Sequence, residues 1–355
     1  MTAKDGVNAA AKREEVMRAF LIFACIAWSC VTGATTSRAD PVADFYKGRS
    51  VTVLSAGGAG GAHGLYAQII STHIRRHIPG NPNVIIQFMP GAGGNTAMNY
   101  LQAVAPKDGT VIGLPLQDLV FNARIGVQEV KYDPAQIHYL GGADTTRTVL
   151  SIMRAANVAT LEDATKREIL VGTNGKSGQS YLVPMVLNGL LKTKFKPIIG
   201  YKDISDIHFA MERGEVQATA ASWPTISNTK PDWIKNNLVA NLVTIGLDRD
   251  PDLPQAPALT ELATGAEDAS LVELLCASAQ HGRAWVAIGD IPKDRLAALR
   301  SAFAATMVDP EFRAEAARRN MAINPVSWED QDQARLKILA TPDSAVQRIK
   351  RILDL

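Results

Sequence analysis

Residues 51–70, VTVLSAGGAGGAHGLYAQII, decide how the rest of the chain is read. The run Val51-Thr52-Val53-Leu54 has the composition of a buried strand. Gly57, Gly58, Gly60, Gly61 and Gly64 crowd in behind it, just where a helix-like run begins. Residues 65–78 carry Ile70, Ile74 and Ile78 at four-residue spacing, a buried helical stripe, and Pro79-Gly80 closes them. Strand, glycine turn and helix in that order make one α/β unit.

The unit recurs. Residues 83–89 form a second predicted strand, followed by Pro90-Gly91-Ala92-Gly93-Gly94-Asn95 and a helix over 96–104. A third strand, 111–114, follows the turn Pro106-Lys107-Asp108-Gly109, and right-handed parallel crossovers are expected between these strands. After Tyr139-Leu140-Gly141-Gly142 a second set begins. Its predicted strands are 149–154, 168–172, 196–200 and 216–221, and its helices 160–165, 181–191 and 203–213. Helices over 292–307 and 310–320 and a last one beginning at Thr341-Pro342-Asp343 end the chain. The class is α/β.

Two domains fit in 355 residues. The first 39 residues read as a secretory signal peptide: Lys12, Arg13 and Arg18, an apolar run over 19–31, then Ser37-Arg38-Ala39 with cleavage after Ala39. An uncleaved anchor is the rival reading, but the run falls short of the ~20 apolar residues a span needs. Without that segment 32 basic and 32 acidic side chains remain, a balance that gives nucleic acid no electrostatic footprint. One cysteine remains, Cys276, which cannot form an internal disulfide and reads as a small buried hydrophobe. Export without disulfides suits a bacterial periplasm.

The glycine turns at 57–64, 91–95 and 172–180 follow strands and open helices. There, unpaired N–H groups and the helix dipole can hold an anion. A dinucleotide fingerprint fails on spacing, since His63 and Thr96 stand where its third glycine belongs. Gly175-Lys176-Ser177 ends like a nucleotide-binding P-loop, but Leu170 occupies the leading glycine's place. Neither Ser177 nor Ser180 lies in G-x-S-x-G, and no motif joins either to His63 as a base, which leaves a secreted serine hydrolase as a remote alternative. Ser177, Gln179 and Ser180 read as neutral donors at a helix start, with capping alone as the other possibility. His73 and His77 stand at chelating spacing, yet Arg75-Arg76 between them disfavours a metal. Tyr201, Asp203 and Trp223 sit at strand ends where a pocket wall could be; packing is the competing reading for Trp223 and capping for Asp203.

With these elements in order, the chain resembles the Bug-type extracytoplasmic solute receptors of tripartite tricarboxylate transporters. The residues that carry the resemblance are Asp44-Phe45-Tyr46-Lys47-Gly48-Arg49, Met89-Pro90-Gly91-Ala92-Gly93-Gly94-Asn95, Ala105-Pro106-Lys107-Asp108-Gly109-Thr110, Gly200-Tyr201-Lys202-Asp203 and Glu212-Arg213-Gly214-Glu215-Val216. The resemblance implies a type II periplasmic-binding-protein fold, two α/β lobes around a ligand cleft. Residues 40–142 with 266–355 would form the first lobe and 143–265 the second. It also implies that Ala59, Gly60, Gly61, Ala62 and His63 hold a carboxylate together with Thr173, Asn174, Gly175, Ser177, Gln179 and Ser180. Gln117, Tyr201, Asp203 and Trp223 complete the candidate set.

Three positions depart from the family pattern: Gly64 and Gln217 where many members have Asp, and Gln68 where many have Arg. The lost acid makes an amino-acid ligand less expected. It also leaves His63 as the loop's one titratable side chain, able to become a cationic partner at mildly acid pH. Neither loop contains Arg, so Lys176 is the nearest expected cation. The expected function is a monomeric periplasmic receptor, without cofactor, metal or catalytic activity, that delivers a small organic acid to a membrane permease. A ligand sensor of the same fold, docking on a signalling partner, is the alternative.

Overall fold

The apolar runs before the glycine turns become strands in the computed structural model, which describes residues 40–355. The signal-peptide reading falls on residues 1–39 and lies outside the described residues. Strands β1 (Ser50–Ser55), β2 (Asn83–Phe88) and β3 (Val111–Leu114) pair in parallel, with β1 in the middle. Strand β4 (Ile137–Gly142) closes the sheet, and the chain then builds a second one. That sheet contains β5 (Thr148–Met153), β6 (Ile169–Thr173), β7 (Phe195–Ile199), β8 (Ala218–Ser222) and β9 (Val239–Ile245). Strand β10 (Ala284–Ile288) returns to the first sheet.

The sheet orders are β2-β1-β3-β10-β4 and β7-β6-β8-β5-β9. The expectation of parallel crossovers holds for β1 to β3, but both sheets are mixed. Strand β10 runs antiparallel to β3 and β4, and β5 antiparallel to β8 and β9. These are the two strands laid down next to the crossings between lobes, where the chain enters a sheet from the opposite side. The two-lobed α/β architecture follows from that exchange.

The sequence's isoleucine stripe is buried: Ile70, Ile74 and Ile78 are at most 2 % exposed. The helix Ala62–Ile74 ends short of the predicted residue 78. It lays Ile70 and Ile74, with Tyr66, Ala67 and Ile69, over the first sheet, and Ile78 joins the same cluster from the turn that follows. Helices Lys293–Val308 and Pro310–Arg318 pack on the same cluster through Leu299, Phe303 and Phe312. The last helix, Asp343–Leu353, instead packs on the second-lobe helix Gln179–Leu191. A Cβ at Gly189 would come within 2.7 Å of Ile352 Cγ1.

Cys276 is fully buried, and burial pushes its thiol up to about 12, so it stays an unreactive hydrophobe. Among the described residues no helix is long and apolar enough to cross a membrane.

Candidate functional site

Two 13-residue helices, Ala62–Ile74 and Gln179–Leu191, start at a cavity of about 130 Å³ between the sheets. Their N-cap residues are Gly61 and Gly178, and neither has a side chain capping the first turn. Each helix therefore brings unpaired N–H groups and the positive end of its dipole to the cavity, one from each lobe.

The lobes meet around this cavity. Gln117 Nε2 donates to Thr148 Oγ1 at 3.2 Å, Asn122 Nδ2 to the Ser177 carbonyl at 3.0 Å, and Ser177 Oγ to the Ala92 carbonyl at 2.7 Å. Gln179 Nε2 donates to Asp118 Oδ1. The glycines permit this approach. A Cβ at Gly93 would sit 2.5 Å from Ser177 Oγ, and one at Gly58 would overlap Asp203 Oδ2. The bare backbone of the first turn thus clears space for the opposite lobe beside the cavity.

Of the sequence-derived candidates, Gly61, Ala62, His63, Gln117, Asn174, Gln179, Ser180 and Asp203 line the cavity. The others lie off its wall. Ala59 and Gly60 are exposed on the outside of the turn, where a Cβ on Gly60 would meet Ser205 Oγ at 2.9 Å. Thr173 holds its own loop by donating to the Gly175 carbonyl at 3.0 Å, and Gly175 packs against the backbone of Ala92 and Gly93. Ser177 is spent on the lobe contact. Tyr201 and Trp223 pack against the cluster around Ile207 and Met211, and Trp223 opens the helix Trp223–Thr229. Asp203 caps the helix Ile204–Glu212 by accepting from Ser205 N at 2.6 Å while facing the cavity.

The cation expected from the loops is elsewhere. Lys176 is exposed and off the cavity. Arg283, just ahead of β10 and only 6 % exposed, lines the cavity instead. Its Nη2 donates to Ser222 Oγ at 3.0 Å and its Nη1 to His63 Nδ1 at 3.4 Å, and its guanidinium carbon lies 5.0 Å over the Tyr66 ring. Asp144 acts on it through space, but the Asp144 carboxylate accepts from Asn324 Nδ2 at 3.2 Å. Among the described residues no carboxylate forms an ion pair with Arg283, and burial pulls its pKa down. Lys202, at the exposed mouth, is the second basic residue on the wall.

His63 does not take up the cationic role open to it. Its Nε2–H donates to the Leu114 carbonyl at 3.0 Å, which turns Nδ1 toward Arg283 as an acceptor. Burial, reinforced by the Arg283 guanidinium, lowers its pKa to about 3, so the ring is neutral at mildly acid pH. The same bonds remove it as a base for a serine. Ser177 Oγ is committed to Ala92, and Ser180 Oγ lies 3.0 Å from both Thr173 Oγ1 and Asn174 Oδ1.

The family departures acquire local reasons. A Cβ at Gly64 would stand 2.5 Å from the Gly58 carbonyl and 2.6 Å from that of Ala59, so the turn folds down onto this glycine. Gln217 Oε1 accepts from Leu170 N at 2.8 Å and stitches β6 to β8. His73 and His77 join an ion-pair network rather than facing an open cation site. The Arg76 guanidinium sits among their partners, 2.6 Å from Asp309 and 2.5 Å from Glu311.

Asp118 is the unforeseen acid on the wall, 1 % exposed. Burial raises its carboxyl to about 7, against the partial opposition of the neighbouring Gln179 and Ser278 side chains. The folded protein therefore holds this proton above the unfolded value of 3.8. The associated stability is complete below pH 3.8 and is lost as pH rises through 7. Asp118→Asn escapes that loss. Its stability relative to the unsubstituted protein should grow by roughly 2–3 kcal/mol between pH 5 and pH 8 in urea denaturation. A difference independent of pH would show that the carboxyl does not titrate in this range.

No protein-family model matches the chain, and no curated protein matches it. Solved structures do. Rpa4515 of R. palustris, solved with adipate, is 18% identical with a TM-score of 0.66, covering 85% of this chain and 97% of its own. The periplasmic binding protein BugD is 17% identical with a TM-score of 0.67, covering 86% and 98%. MatC of Rhodopseudomonas palustris, with bound malate, is 16% identical with a TM-score of 0.62, covering 86% and 99%. The chain thus has the two-lobed α/β fold of the Bug-type periplasmic binding proteins.

Proposed function

We propose that this protein is an exported solute receptor that closes around a small organic carboxylate and presents it to a membrane permease. The observation that carries this reading is Arg283, a buried guanidinium without an ion-pair partner among the described residues, on the wall of an interlobe cavity. Isolating a charge there is costly, and a ligand carboxylate would repay it with charge-assisted hydrogen bonds. The two uncapped helix starts supply further donors, and the contacts between lobes suit a receptor whose closed form the ligand stabilises. The adipate and malate bound to two structural neighbours support the ligand class. The signal-like residues 1–39 and the periplasmic neighbour BugD support export. Delivery to a permease is the family's task carried over by resemblance.

A thermal-shift screen of two- to six-carbon organic acids tests the reading. At ligand concentrations near 100 Kd, binding to the folded form alone adds about 2.7 kcal/mol, a rise of several degrees. Recovery of the acid unchanged supports a receptor. Chemical turnover of the acid, or no shift with any of them, counts against it.

A further inference from the structure

Asp118 and Arg283 line one cavity without pairing with each other. Around Asp118 the wall is rich in acceptors. Gln179 spends its amide N–H on the Asp118 carboxyl and on Ser278 Oγ, 3.3 Å away. Gln179 is 8 % exposed, and its buried Oε1 has no hydrogen-bond donor. Ser278 Oγ in turn donates to the Leu275 carbonyl at 2.7 Å. The cavity wall therefore combines a buried carboxyl with a glutamine whose enclosed amide oxygen has no donor among the described residues, and the same cavity holds a buried cation.

Such a wall discriminates. A plain dicarboxylate brings only acceptors, so at pH 8, where Asp118 is ionised, the end remote from Arg283 would set oxygen against oxygen. A ligand with a hydroxyl or ammonium group supplies the missing donor, and sites with buried polar groups reject analogues that leave them unpaired. We propose that Asp118 and Gln179 select carboxylates that also carry a hydroxyl or ammonium donor over plain carboxylates of the same length. This rests on the receptor reading above. It also assigns the acid that Gly64 lacks to a different segment, the turn after β3, so the glycine at 64 does not by itself exclude an amino-acid ligand.

The test is calorimetric titration at pH 8 with two length-matched sets: propionate, lactate and alanine, and succinate, malate and aspartate. In at least one set a donor-bearing member should bind tenfold or more tightly than the plain acid. Preference for the hydroxy acid or for the amino acid identifies which donor is read. Asp118→Asn should bring that ratio below threefold, and Gln179→Leu, which removes the second acceptor, should reduce it independently. Plain acids binding as tightly as their substituted partners would overturn the inference while leaving the carboxylate receptor standing. So would a ratio that survives both substitutions in proteins with unchanged circular dichroism. No binding by either set, joined with no shift in the broader acid screen, would overturn both.

Discussion

Arg283→Met should weaken carboxylate binding by about 100-fold while leaving the ligand-free protein as stable as before or more so. Truncating one partner of a buried, hydrogen-bonded charge pair costs about 2–5 kcal/mol of affinity, and that range contains the expected loss. The stability effect has the opposite sign because the guanidinium is buried without an ion pair among the described residues. Replacing a buried charge by an apolar chain of similar length is commonly neutral or stabilising by about 1–4 kcal/mol. The lost contacts with Ser222 and the Tyr66 face reduce that gain. Methionine keeps most of the volume, so the packing against Tyr66 survives. Calorimetry gives the affinity and chemical denaturation the stability. Lys176→Ala, exposed and off the cavity, should leave both unchanged. Parallel losses of affinity and stability in Arg283→Met would recast Arg283 as a structural residue, held by Ser222 and Tyr66 rather than by a ligand.

Local patterns made much of this architecture legible. Short apolar runs, glycine turns and a four-residue isoleucine stripe report on neighbours a few positions away, and β1, β2, β3 and the helix Ala62–Ile74 follow from them. Strand β10 did not. Its five residues, Ala284–Ile288, form a short apolar run that could equally lie in a buried helix. Its antiparallel place between β3 and β4 is decided by a return from the other lobe.

The site was half legible for the same reason. The composition of the turn at 57–64 and of the helix start at Gln179 marks backbone that borders the cavity. Arg283 lies 220 positions from the histidine it touches, and only the β10 register brings the two together. The signal that could have found it is local but faint: an arginine directly before a run as apolar as Ala284-Trp285-Val286-Ala287-Ile288. His63 shows the converse failure. Its identity suggested a titrating side chain, but burial and the neighbouring guanidinium, neither readable from the loop, keep it neutral. Ser177 and Thr173 show that composition cannot tell a hydroxyl facing a cavity from one holding a loop.

Gly58→Ala should separate lobe closure from the ligand contacts. A methyl there overlaps Asp203 Oδ2 and lies 2.9 Å from its Cγ, a clash present only when the lobes are together. Asp203 cannot swing away freely, because its other carboxyl oxygen caps the helix Ile204–Glu212 through Ser205 N. The backbone at Gly58 does not need glycine, since its φ lies outside the left-handed range. Each lobe on its own therefore tolerates alanine, and the cost falls on the closed form. Overpacking of this kind costs about 1–3 kcal/mol, which predicts roughly 30-fold weaker binding. Ligand-induced compaction in small-angle scattering should shrink to match. Asp203→Ala in the Gly58→Ala background removes the obstructing carboxyl and should restore most of the affinity, despite about 1 kcal/mol lost from the helix cap. Full affinity in the single variant would mean that the ligand-bound form does not bring Gly58 against Asp203. Failure of the second substitution to rescue would place the defect in the glycine turn itself, which would then bind through the conformation of its backbone rather than by making room for the other lobe.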